Sequence, residues 1–239
     1  MCIRQILKRS DTVVGLVRDS RKIFRKSNPP SRIIKSYMES HEIKKLQIGA
    51  GPTVLDGWLC TDIDPKCMSG VMYLDAMKPF PFDSATIDYV YSEHMIEHIS
   101  WQDGLVMLQE CLRVLKPGGT IRIATPDLAV LIGLYSRNGE AMNERYIDWI
   151  TNRSLDGVNV SKASFVINNA FRNWGHQFLY DAELLEMAMQ EVGFTNIRRY
   201  SVGESEDENL RDIESHGSNV DDNDMVAFET MVFEGKREL

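Results

Sequence analysis

The chain has 239 residues, of which 43% are apolar and 26% charged, ordinary globular values that exclude wholesale disorder. The formal charge of −8 is unevenly spread: residues 1–38 carry ten Lys/Arg against two Asp/Glu, and the rest carries 17 against 33. The acidic body argues against a duplex nucleic-acid binder, which needs a basic face for phosphates, while the basic head leaves a peripheral or anionic contact open.

Residues 1–38 read as two basic helical pieces broken at Asn28-Pro29-Pro30, the second capped by Ser31 and carrying Ile33, Ile34 and Tyr37. Short strands then follow at Leu46–Ile48, ending in Gly49-Ala50-Gly51, at Trp58–Thr61, ending in Asp62, and at Val71–Leu74, ending at Asp75. A fourth strand spans Ile87–Ser92. A helix follows from Trp101 to Leu115, capped by Ser100, with Leu105, Leu108, Leu112 and Leu115 on one face. Lys116-Pro117-Gly118-Gly119 stops it before a strand at Thr120–Ala124. Residues 127–175 read as partly helical, interrupted at Gly139, Gly157 and the Asn-rich 168–173 stretch. Asp181 caps a helix with Leu184, Leu185, Ala188 and Val192, which Gly193 closes. The last strands are expected at Ile197–Val202 and Val226–Phe233, joined by an acidic surface loop over 203–224.

Alternating strands and helices imply an α/β fold with a largely parallel sheet. Ligands of such sheets bind at the carboxyl ends of the strands. Those ends carry Gly49 and Gly51, then Asp62, then Asp75, then Ser92-Glu93. Glycines let a backbone approach a ligand closely. Asp62 stands where a carboxylate can accept two ribose hydroxyls. Asp75 can accept from an adenine amino group, with Met77 or Phe80 against the ring. Asp62 follows Gly51 by 11 residues, where a dinucleotide fingerprint expects about 20, so a NAD site is disfavoured.

No apolar run approaches the roughly 18–20 residues that span a bilayer, and the N-terminus lacks the continuous apolar core of a secretory signal. Cys2, Cys60, Cys67 and Cys111 show no CxxC spacing, against a zinc ribbon or redox pair. A cytoplasmic protein with reduced thiols is expected, and no pattern demands a metal.

The segments LQIGAG, WLCTDIDP, YLDAMKPFPFDSATIDYVYSEHMIEHI and LQECLRVLKPGGTIRIATPD resemble class I S-adenosylmethionine (SAM)-dependent methyltransferases. The resemblance is strong over 44–126 and looser over 176–234, and is nearest to short members with an abbreviated first helix, some from polysaccharide and other glycoconjugate pathways. It implies a Rossmann-like seven-stranded sheet with helices on both faces and an antiparallel last strand between strands five and six. It divides the chain into an N-terminal extension, 1–43, and a methyltransferase domain, 44–239, with 127–175 as a substrate lid. It places Gly49 and Gly51 at the methionine part of SAM, Asp62 at the ribose and Asp75 beside the adenine, with Ala50, Ile63, Ala76 and Met77 as further cofactor contacts. Ser92, Glu93 and His94 then border the methyl group. Gln47 stands where an acid is common, and the short first connection removes a helix N-terminus that could hold the SAM carboxylate.

The implied reaction is an in-line methyl transfer to a small molecule or sugar, with S-adenosylhomocysteine leaving. An oxygen acceptor needs a base, and His176 in Trp174-Gly-His-Gln-Phe178 is the first candidate, with His94 second. A structural role for His176 at the following helix start is the competing reading. Asn168, Asn169 and Arg172 are candidates for a polar acceptor and equally ordinary loop residues. A non-catalytic SAM-binding module is the alternative function. A further alternative, a zinc hydrolase, rests on His94-Met-Ile-Glu97-His98, which matches H-x-x-E-H and on an α-helix would put both histidines on one face. Otherwise His98 is a cap or packing residue near Trp101, and Glu97 a structural contact.

Overall fold

The computed structural model describes residues 30–65, 70–137, 139–219 and 222–239. The described residues fall into two units, divided between Glu42 and Ile43. Within the first, α1 spans Pro30–Ser40. The helix starts at Pro30 rather than being capped by Ser31, which lies in its first turn; proline suits that position because its missing N–H would have no helical partner. The first basic piece expected from the sequence lies outside the described residues.

The second unit is built on a seven-stranded sheet in the order β3-β2-β1-β4-β5-β7-β6. The strands are β1 (Lys45–Ile48), β2 (Leu59–Asp62), β3 (Met72–Tyr73), β4 (Ile87–Glu93), β5 (Leu115–Pro126), β6 (Phe194–Tyr200) and β7 (Thr230–Arg237). β7 runs antiparallel between β5 and β6, and the other pairings are parallel. This is the Rossmann-like methyltransferase sheet order that the resemblance implies. No helix among the described residues is long and apolar enough to cross a membrane.

α2 (Trp101–Val114) begins at Ser100, whose hydroxyl accepts the Asp103 amide. Its buried stripe is Gly104, Met107, Leu108, Cys111 and Val114. The stripe is rotated from the expected leucine face because Gly104 lets Tyr180 come close: a Cβ there would sit 2.4 Å from the Tyr180 hydroxyl. Lys116–Gly119 opens β5 instead of forming a separate stop. α6 (Ala182–Val192) starts at Asp181, which accepts the Leu184 amide, and ends at Gly193 with φ 106°. Its Met189 lies against Gly235 of β7, so α6 covers the sheet face that carries Ile121, the register partner of Gly235.

The opposite face carries Gln47, Cys60, Tyr91, Arg122 and Glu234 in neighbouring registers. Only ten residues separate β1 from β2, too few for a covering helix. The 203–215 connection covers that face instead. Leu210 packs with Ala50, Trp58, Cys60, Val71 and Tyr91, and Ile213 joins them. The acidic connection is the expected surface loop on its outer side, where Glu204, Glu206, Glu208 and Asp212 are exposed, but it also turns residues inward: Leu210 is fully buried and the Glu214 side chain is 4% exposed. It leads into α7 (His216–Asn219) and α8 (Asn223–Glu229). The last strand begins at Thr230, not Val226, because Asp222 caps α8 and Met225, Val226 and Glu229 form a buried helical stripe.

Residues 128–172 form α3 (Leu128–Ser136), α4 (Ala141–Ser154) and α5 (Ala163–Arg172). Gly139 and Gly157 turn the chain between them with φ 98° and 77°. The Asn-rich stretch does not interrupt a helix but lies in α5. Asn168 donates back to Ser164 O, and Asn173 just beyond the helix donates to Asn169 Oδ1. These helices share a second core, including Leu131, Leu134, Tyr146, Ile150, Val166 and Ala170, with Met225 of α8.

Candidate functional site

At the C-terminal end of β1, Gly49 and Gly51 have φ 69° and 53°, a region that favours glycine. A Cβ on Gly49 would lie 2.2 Å from Met95 Cγ, whereas one on Gly51 would meet nothing within 4 Å. Gly49 thus lets the turn after β4 pack close, and Gly51 borders open space. The Ala50 amide donates to Thr61 O, joining this loop to β2. Asp62 accepts the Gly51 amide at 3.1 Å on Oδ2 and the Asp64 amide at 2.7 Å on Oδ1. A carboxylate oxygen has two acceptor sites, so one remains on each for a diol. Asp75, just beyond β3, accepts the Met77 amide and pairs with Lys78 at 2.6 Å. Beside these acids Ile63 is 42% and Met77 36% exposed, while Phe80 is buried in the core. Met77 rather than Phe80 can flank a ring, with Ala76 buried beneath it. Ser92 Oγ at the end of β4 is buried without a hydrogen-bond partner. The diol-accepting acid, the open Gly51 rim, the exposed apolar pair and this orphaned hydroxyl fit the donor and acceptor pattern of an adenosine-bearing cofactor.

Glu93, expected to border the methyl group, has partners in the long connection. Its carboxylate accepts the amides of Ser215 and His216 and the Ser215 hydroxyl, so it anchors the connection into α7. The chain then turns at His94, with φ 45°, into a 3-10 turn over Ile96–His98. His94 and His98 therefore do not share an α-helical face, and the premise of the inverted zinc-hydrolase motif is absent.

The turn meets α3, α4 and α5 at a cavity of about 330 Å³, whose walls include His94, Glu97, His98, His176, His216 and Glu229. Four of the five histidines of the chain converge here. His94 stacks on His216 at 4.1 Å, and His98 meets His176 edge to face at 4.9 Å. The Trp174-Gly175 turn, both residues at positive φ, swings His176 into place. Gln177 and Phe178 donate their amides to Glu97 O, and the Gln177 side chain donates to His98 O. His176 Nδ1 donates to Ala170 O at 2.8 Å, which leaves its Nε2 with the lone pair. Trp149, Arg153, Ser154 and Trp174 complete the lining. From α5 it is Ala170 that faces the cavity, not Asn168, Asn169 or Arg172.

Glu97 is fully buried. Its Oε2 accepts from Thr125 Oγ1, while Oε1 lacks an aligned hydrogen bond and stands 3.4 Å from His94 Nδ1 and 4.0 Å from His98 Nε2. Burial works to raise this carboxyl, but His94 and then His98 bring it to about 2. Burial also opposes the charge of His94, yet Glu97, Glu229 and Glu93 raise it above the usual imidazole value. Burial lowers His176 and takes His216 down to about 4. Glu229, hydrogen-bonded by the Tyr146 hydroxyl, is raised by burial. Sequence reasoning found His94 and His176 but missed His98, His216 and Glu229 as cavity residues. The H-x-x-E-H spacing was the signal for Glu97 and His98; nothing local marks His216 or Glu229, which reach the cavity through the long connection.

Residues 61–123 match the family model described as a methyltransferase domain. No curated protein matches the chain. Among solved structures, a SAM-dependent methyltransferase from Archaeoglobus fulgidus aligns at 14% identity, covering 86% of this chain and 90% of that one with a TM-score of 0.47. One from Thermotoga maritima, described as a possible histamine N-methyltransferase, aligns at 13% identity over 85% and 88%, with a TM-score of 0.46. Phosphoethanolamine N-methyltransferase 2 of Haemonchus contortus, solved with SAM, aligns at 16% over 87% and 51%, with a TM-score of 0.45.

Proposed function

We infer that this chain is a class I SAM-dependent methyltransferase, a reading supported by the domain match over residues 61–123 and by the sheet order, and that it methylates a hydroxyl of a small polar acceptor held in the histidine-lined cavity. The observation that carries this reading is His176: it lines the cavity, and Ala170 O fixes the proton on Nδ1, so Nε2 keeps a lone pair with which to act as a base. The cavity, about 330 Å³, is at the small end of small-molecule sites, which run roughly 300–1,000 Å³. Flat apolar faces at Trp149 and Trp174 beside the donors of Arg153 and Ser154 suit a hydroxylated ring, so a sugar or similar polyol is the acceptor class.

SAM, when bound, supplies a methyl group already activated on a sulfonium sulfur. With SAM bound, Asp62 would accept the ribose hydroxyls and Asp75 the adenine amino group, with the exposed Ile63 and Met77 beside the ring. Ser92 and the Gly49–Gly51 backbone border the amino-acid part. His176 takes the acceptor hydroxyl proton on Nε2, and the Glu97 carboxylate offsets the positive charge that results. His94 is the weaker base candidate, because its Nε2 contacts Thr230 Oγ1 at 3.0 Å and its Nδ1 faces Glu97. It is assigned to positioning Glu97. The α3–α5 segment serves as the lid that excludes water.

Calorimetry tests the cofactor half. Asp62→Ala should weaken SAM and S-adenosylhomocysteine binding at least about tenfold, the scale of one charged hydrogen-bonding group. Unchanged affinity would remove Asp62 from the site. Turnover with a panel of sugars and nucleotide sugars tests the acceptor half. His176→Ala should lose at least about a hundredfold in turnover with intact SAM affinity; full turnover would sink the base assignment, and absence of turnover on any acceptor would favour a binding module.

A further inference from the structure

We propose that Glu97, His98 and His176 form a binding site for one divalent transition-metal ion of the zinc class. Each brings one ligand atom to within 4.8 Å of the other two. Two imidazoles and one carboxylate form a donor set for Zn²⁺ with an open position for water or a substrate oxygen. Mg²⁺, which prefers oxygen ligands, suits the set less well.

Three independent observations point to a ligand. Glu97 Oε1 is a fully buried carboxylate oxygen without an aligned hydrogen bond, while its partner Oε2 is held by Thr125. His176 donates Nδ1–H to the Ala170 carbonyl, the outer contact that fixes a metal-binding imidazole with its Nε2 free. The two ligand-bearing loops are stitched together by the Gln177 and Phe178 bonds to the backbone of Glu97 and His98, so the ligands are pre-assembled. At Zn–ligand distances of about 2.0–2.2 Å the three atoms must draw together by roughly 1 Å. His98, with 36% of its side chain exposed, has room to rotate inward. The arrangement uses His98 and Glu97 of the H-x-x-E-H segment but replaces His94, whose nitrogens face Thr230 and Glu97, with His176 from 78 residues downstream.

The site stands apart from the methyl-transfer reading, because the ligands converge whatever the acceptor is. One consequence joins them: a metal ion and a proton compete for the same His176 lone pair, so the loaded and stripped proteins differ in how an acceptor oxygen is activated.

The test uses the full chain, stripped with a chelator and titrated with Zn²⁺ against a chromophoric competitor, with neither SAM nor acceptor present. One ion per chain is expected, with affinity reduced at least about tenfold in His98→Ala, His176→Ala and Glu97→Gln and unchanged in the control His41→Ala. The bound Zn²⁺ should raise the melting temperature of the unmodified chain and not of the variants. X-ray absorption on the unmodified protein, which needs no variant to fold, should show two imidazoles and no sulfur. Absence of stoichiometric uptake, affinity in the three variants equal to that of the unmodified chain, or a sulfur-containing shell would overturn the site. A His176→Ala protein that keeps Zn²⁺ affinity but loses turnover would overturn the metal site and leave the base. One that loses Zn²⁺ and keeps full turnover would do the reverse.

Discussion

Glu110 accepts Nε and Nη2 of Arg113 and the amide of Phe80, while Arg113 donates onward to the carbonyls of Phe80 and Phe82. This one pair ties the approach to β4 onto α2. Its Arg113 hydrogen bonds, the largest influence, hold the Glu110 carboxyl below its ordinary value. A depressed carboxyl contributes stability above its unfolded pKa, and the contribution is lost as pH falls through the folded one. Glu110→Gln should therefore cost about 1–2 kcal/mol near neutral pH. The difference from the unmodified chain should shrink as the pH drops below the usual carboxylate range of about 4.3, as read by denaturant unfolding across pH. A cost that stays constant down to strongly acidic pH would mean shape rather than charge. At the same scale, Cys60 and Cys111 are buried free thiols raised by desolvation, which fits packing rather than chemistry.

Among the elements, the loop after β1 and the turn after β4 depend on each other. Gly49 has both a positive φ and Met95 where a Cβ would go. Gly49→Ala should lose about 1–3 kcal/mol of stability and weaken SAM binding in the same preparation, since Gly49 belongs to the loop assigned to the amino-acid part of SAM. Unfolding and calorimetry on one variant check both; a stable variant with full affinity would contradict the coupling. Strand ends and caps were legible in the sequence because they are local: Ser100 and Asp181 do cap helices, and Gly193 does end one. The acids at the ends of β2 and β3 were legible for the same reason. What was hidden depends on distant partners. Glu93 finds the amides of Ser215 and His216, and His216 enters the cavity on a connection whose acidity reads as solvent-facing. The register of the α2 stripe was missed because Tyr180 determines it from outside the helix.

Across the whole second unit, Arg122 ties the sheet to its irregular cover. It is fully buried, pairs with Glu214 at 2.5 Å and Glu234 at 2.6 Å, and donates to the Glu204 carbonyl. Arg122→Met leaves two carboxylates facing each other without their cation and should cost about 3–5 kcal/mol. The triple variant R122M/E214Q/E234Q should regain most of that in denaturant unfolding; no recovery would assign the loss to packing. The same cover has a consequence for synthesis. β1, β2 and β4 are made early, but the residues that shield one of their faces are 203–215, and β7, which joins β6 to β5, comes later still. A chain emerging from the ribosome therefore displays Tyr91, Cys60 and an unpaired β5 edge until residues 203–237 have been made. Exposed edges and apolar faces of that kind recruit other chains, so a chain that ends before residue 203 is expected to associate more readily than one that carries the 203–215 cover and β7.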